Sequence, residues 1–158
     1  MLSDAAKKLI EHELLLISDA DVVLWAVQEL GRKPESAADP DICELASLPT
    51  QPSSKCEAAS ELLRAAVARA HPEFDSGSAE AETHARTAFL THCNRLLAEE
   101  LTPYQFCRVI NPIEQQYDFP SWLGDFFNQC DWCEPESKRR DFTHLVDYAK
   151  RYIEKDAV

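Results

Sequence analysis

Only three glycines, Gly31, Gly77 and Gly124, interrupt the 158 residues of this chain, and no run alternates apolar with polar residues long enough to make a strand. Hairpin turns lean on glycine for their left-handed backbones, and half-buried strands show a period of two. A chain poor in the first and without the second is predicted to be all-α. The expectation is a single-domain helical bundle over residues 1–158, of about six to eight helices, several of them short. A domain of this size buries roughly 70% of its unfolded surface, so folding requires neither a disulfide nor a metal. No internal repeat of roughly 20 to 50 residues points to a solenoid.

The punctuation of that bundle is written in caps. Ser3 predicts a first helix to about Ile17, and Ser18 or Asp19 a second to about Leu30. In the second, Val22, Val23, Ala26, Val27 and Leu30 recur at helical spacing, and Gly31 stands where a C-cap belongs. Asp39 and Pro40 open a short helix through Ile42 and Leu45. Ser54 with Glu57 reads as a capping box ahead of the stripe Leu62, Leu63, Ala66 and Val67. A break at His71–Ser78 precedes a long helix from about Ala79 to Glu100, with Phe89, His92, Cys93 and Leu96 among its inward residues. Thr102, Pro103 and Gln105 supply cap, first position and box partner. Asn111–Pro112 with Glu114, and Asp118 with Pro120, repeat that grammar and predict two more short helices. The last helix, roughly Lys138 to Lys155, lines Phe142, Leu145, Val146, Ala149, Tyr152 and Ile153 along one face.

Sixteen Lys and Arg against 28 Asp and Glu leave a net charge of −12. Such a balance disfavours phosphate backbones and anionic lipid, so the expected partners are basic proteins, with no nucleic acid and no membrane. The N-terminal residues carry Asp4, Glu11, His12 and Glu13 and do not read as a secretory signal. Their longest apolar run, Leu14–Ile17, falls far short of the roughly 20 residues that span a bilayer. A cytoplasmic location follows as the expectation. There the six cysteines, Cys43, Cys56, Cys93, Cys107, Cys130 and Cys133, are expected to stay reduced, most of them as small buried apolar residues.

Motifs for catalysis are sparse, and the chain is not expected to be an enzyme or to hold a cofactor. Cys130 and Cys133 form a C-x-x-C that supplies half of a tetrahedral zinc site, but no second pair has ligand spacing. A redox dithiol of that kind usually follows a strand, and none is predicted. Two half-buried cysteines on one helix face is the plainer reading. Asp141, His144 and Asp147 share a helix face, where Asp141 suits a helix start and the other two face solvent. G-x-S-x-G, phosphate-binding glycine loops and H-E-x-x-H are all lacking from the sequence.

The segment Leu101–Glu136 is different. It holds eight aromatic residues, six acids and a single base, Arg108. Phe106, Phe119, Leu123 and Phe127 suit a core, but Tyr104, Tyr117, Trp122, Phe126 and Trp132 cannot all turn inward on such short helices. Trp and Tyr anchor interfaces, and acids around them select a basic partner. The expected binding surface comprises Tyr117, Asp118, Trp122, Asp125, Asp131, Trp132, Glu134 and Glu136, centred on Trp132.

Within it, INPIEQQYDFPSWLGDFFNQCDWCEP resembles stretches of small acidic immunity proteins from bacterial polymorphic-toxin and contact-dependent inhibition systems. Its marks are Trp122–Leu123–Gly124–Asp125 and Cys130–Asp131–Trp132–Cys133. The resemblance implies binding and neutralisation of one cognate toxin domain, with a basic nuclease among the candidates. These families share neither one fold nor catalytic residues, so only a binding role carries over. Two other readings stay open: a metal-binding or redox protein using Cys130 and Cys133, and a helical adaptor without a toxin partner.

Overall fold

Ser3, Ser18, Asp39 and Thr102 each cap a helix, as their sequence contexts predict. A computed structural model describes residues 1–49 and 57–156, and every regular element among the described residues is helical. The capping box expected at Ser54 lies outside the described residues. Two compact units divide the chain, Met1–Ala81 and Glu82–Val158.

The first unit contains α1 (Asp4–Glu13), α2 (Asp19–Arg32), α3 (Pro40–Ser47) and α4 (Glu57–Ala70). α1 stops at Glu13 rather than Ile17, because Leu15 adopts φ 63° and the chain reverses. The Leu15 and Leu16 N–H groups then donate to the His12 and Glu11 carbonyls, at 3.1 and 2.9 Å. This helix-ending hydrogen-bond pattern lets Leu14 and Leu16 both be buried, which a continuing helix would not. α2 starts at a full capping box between Ser18 and Asp21. Gly31 is not its C-cap, since α2 continues to Arg32. Arg32 and Lys33 both reach the buried Glu29 carboxylate, at 2.8 and 3.2 Å, and draw the last turn onward. Val27 does not face the core; it is exposed, and Trp25 fills the place beside Val22 and Ala26. Those three pack with Leu9, Ile42, Leu45 and Leu63 into the core of this unit.

The second unit is built from α5 (Ala79–Leu97, whose first turn belongs to the first unit), α6 (Pro103–Cys107), α7 (Ile110–Tyr117), α8 (Phe126–Gln129) and α9 (Thr143–Asp156). Glu99, at φ 62°, ends the turn after α5, and Thr102 with Gln105 closes a capping box on α6. α7 begins before the expected Asn111–Pro112 boundary, with Val109 as N-cap. Pro112 is tolerated because it falls in the first turn, where the N–H it lacks would have no helical partner. Asp118 is not a helix start but the left-handed C-cap of α7, its N–H and that of Phe119 both donating to the Glu114 carbonyl. The helix expected from Pro120 is split by Gly124 into a 3-10 turn, Ser121–Leu123, and the single turn of α8. A Cβ on Gly124 would stand 2.6 Å from the Tyr148 hydroxyl, and that hydroxyl accepts the Asp125 N–H at 2.8 Å. α9 starts at Thr143 rather than near Lys138, because Arg139–Asp141 form a separate 3-10 turn ending at the buried Phe142, and it keeps the expected face with Leu145 and Ala149 buried.

The core of this unit is aromatic. Phe89 meets Phe126 edge-on at 5.2 Å and Tyr152 at 5.9 Å, with Phe106 and Trp122 at 5.8 and 6.0 Å. Phe126 in turn meets Tyr148 edge-on at 4.8 Å. Among the described residues no helix is long and apolar enough to cross a membrane.

Candidate partner-binding surface

The eight aromatics of Leu101–Glu136 range from fully buried to almost fully exposed. Phe106 and Phe126 are fully buried, and Trp122 is half-buried against Phe89. The Trp122 indole N–H donates to Glu82 at 2.9 Å, and its carbonyl accepts the Tyr152 hydroxyl at 2.5 Å. Trp122, expected at the binding surface, is therefore committed to the fold. Tyr117 is half-buried and Tyr104 sits at the edge of exposure. Three remain outside: Phe119 at 72% exposure, Phe127 at 61% and Trp132 at 86%. Phe119 and Phe127, read from sequence as core, thus join Trp132 in solvent, while Phe126 takes the core position.

Two of the three stand on a backbone that disfavours them. Phe119 has φ 53° and Trp132 φ 64°. A left-handed conformation costs a residue with a Cβ roughly 1–2 kcal/mol, and bulky side chains are rarely found there. Phe119 follows the left-handed Asp118 and precedes Pro120, so the end of α7 turns sharply and carries the ring outward. Trp132 is the third residue of a tight turn closed by the Cys133 N–H donating to the Cys130 carbonyl at 3.2 Å. A positive φ at that position is what a type II turn requires, and glycine or asparagine normally supplies it. Strain of this kind, unrepaid by burial, collects at functional sites.

Acids accompany these rings. Asp118, Asp131, Glu134 and Glu136 are all exposed. The hydrogen bond that a protonated Glu134 donates to Glu136, with the like charge of that carboxylate, holds the Glu134 carboxyl above the usual range, so this pair favours a nearby cation. Asp125 is also exposed, but its carboxylate accepts from the Asn128 and Gln129 amides and serves the start of α8.

The cysteines part from the expectation of reduced, mostly buried thiols. Cys107, the last residue of α6, is bonded to Cys130, which ends α8, with Cα atoms 5.5 Å apart. Cys130 therefore cannot pair with Cys133 on a zinc ion in this state. The separation of 23 positions between the two partners explains why spacing could not reveal the bridge. Cys93 is the buried apolar thiol expected, Cys43 and Cys133 are half-buried thiols, and Cys56 lies outside the described residues. Burial pushes the Cys133 thiol up, partly opposed by a hydrogen bond from Ser137. Among the described residues no cluster of three His, Cys, Asp or Glu side chains is placed to hold a metal ion.

His92 positions α6 under this surface. Its Nε2 lies 3.1 Å from the Phe106 carbonyl, which fixes that nitrogen as the donor, and its ring stacks on Phe106 at 5.0 Å. Burial lowers its pKa to about 4, so the ring is neutral. In the first unit His12 joins Asp19, at 2.6 Å from Nε2, and Ser60, at 3.2 Å from Nδ1. The order acid, imidazole, hydroxyl is that of a hydrolytic triad, yet the hydroxyl meets Nδ1 instead of Nε2. Here the imidazole clamps the end of α1 to the first turns of α2 and α4. Neither arrangement was legible in the sequence, where the partners are 7, 14 and 48 residues apart.

Comparison of the chain with protein-family models, curated proteins and solved structures yields no match.

Proposed function

We propose that this chain is a binding protein whose second unit grips a basic protein through exposed aromatic anchors set among carboxylates. The observation that carries this reading is Trp132: a tryptophan at 86% exposure, on a left-handed backbone, between Asp131 and Glu134. A fold gains nothing from holding a large apolar ring in solvent at a conformational cost, whereas an interface gains a hot-spot anchor. Phe119 and Phe127 supply further apolar area, and Asp118, Asp131, Glu134 and Glu136 the charge.

The resemblance of this segment to immunity proteins supplies the partner class: a cognate toxin domain, neutralised in the cell that makes it. Inhibition works by occupancy, and against a basic nuclease the carboxylates take the place of substrate phosphates. Where a toxic domain is encoded beside this gene, its co-expression with this chain is expected to leave growth intact, and absence of rescue overturns the toxin reading. The surface is tested separately in a demonstrated complex. If Asp131→Ala and Trp132→Ala both fold and both bind as tightly as the parent, the docking face lies elsewhere.

A further inference from the structure

We propose that Cys133 and the Cys107–Cys130 bridge form a thiol–disulfide exchange site, in which the bond passes from Cys107–Cys130 to Cys130–Cys133. The Cys133 thiolate attacks the Cys130 Sγ, the bond to Cys107 breaks, and its electron pair leaves on the Cys107 Sγ. Cys107 takes up the proton that Cys133 gave, so no external oxidant or reductant is consumed.

Three observations meet at this site. Cys130 is already a disulfide sulfur, and a third cysteine follows it at C-x-x-C spacing as a half-buried thiol. The turn between Cys130 and Cys133 is already closed by a backbone hydrogen bond of 3.2 Å. Such turns bring their end Cα atoms within about 7 Å, which overlaps the roughly 4.4–6.8 Å that disulfides span. The Cys130 and Cys133 backbones therefore already stand at disulfide spacing, and the attacking thiol, now hydrogen-bonded to Ser137, has only its side chain to turn. The product differs in what it restrains. The present bridge ties the end of α8 to the end of α6, whereas the exchanged bridge removes that covalent tie and closes a small ring around Asp131 and Trp132. The exchange stands on these contacts alone, whatever docks on Trp132.

Trypsin distinguishes the two forms, because cleavage after Arg108 and Lys138 places Cys107 on one peptide (96–108) and both Cys130 and Cys133 on the next (109–138). The full-length protein is incubated without reductant at pH 8, brought to mildly acidic pH with excess N-ethylmaleimide to alkylate free thiols, digested at that pH and mapped by mass. The exchange predicts both the cross-linked peptide pair and peptide 109–138 with an internal bridge, with Cys107 alkylated. In Cys133→Ser, alkylation of Cys107 is expected to slow at least about tenfold, since the resolving thiol is gone. A parent chain that keeps only the cross-linked pair, with Cys107 never alkylated, overturns the proposal. So does an internal bridge that forms only in Cys107→Ser, because the exchange must run in the native chain.

Discussion

At Trp132 the backbone holds φ 64°, a conformation that glycine adopts freely and tryptophan does not. Trp132→Gly is therefore expected to raise the stability of the free protein by about 1 kcal/mol in urea denaturation. The same change is expected to weaken a demonstrated complex by at least about thirtyfold, the loss of one interface hot spot. A tryptophan kept for folding would give the opposite sign in the first measurement. The two helical-region glycines make a second pair of opposites. Gly124 holds φ 62° with the Tyr148 hydroxyl where a Cβ would go, so Gly124→Ala should cost about 2 kcal/mol or more. Gly31 lies in α2 with open space around it, and Gly31→Ala should add about 0.5–1 kcal/mol. Both are read from shifts of the urea midpoint. At this scale the sequence was a poor guide: Gly31 and Gly124 are the same letter, and only their neighbours in space separate a dispensable glycine from a required one.

Elements were more legible where a cap and an apolar period agreed. Ser3, Ser18, Asp39 and Thr102 predicted helix starts because an N-cap is a local interaction, complete within four residues. Asp118 misled for a related reason. Its short polar side chain suits an N-cap, but it also tolerates the left-handed conformation that ends α7. The junction of α5 with α6 carries a prediction of its own. His92 is buried and neutral, with its pKa lowered to about 4 from 6.5. As pH falls below 6.5 the unfolded chain takes the proton first, so stability drops until about 4, where the folded ring also charges. The full span is worth about 3 kcal/mol, and about 1 kcal/mol should be lost between pH 7 and about 5.5. His92→Gln keeps an amide donor for the Phe106 carbonyl and cannot titrate. Its urea midpoint should lose less over that interval than the parent's, and equal losses would show that His92 does not drive the change.

For the molecule as a whole, a net charge of −12 sets how partners approach. Long-range attraction of a basic protein is screened within about 10 Å at 0.1 M salt, so the association rate should fall by about tenfold or more from low to high ionic strength while dissociation changes little. Stopped-flow mixing with a demonstrated partner measures both, and a salt-independent association rate would show that the acids do not steer. The charge, the all-helical class, most helix starts and the inward faces of α4, α5 and α9 could be read from residue order alone, because caps and apolar periods act between residues a few positions apart. Packing in three dimensions is what puts Phe126 inside and Phe127 outside, sets Trp122 against Glu82 and Phe89, and brings Cys130 to Cys107. A one-turn helix is too short to show a period, and side chains that meet across 23 or 40 residues do so only once the intervening elements have packed.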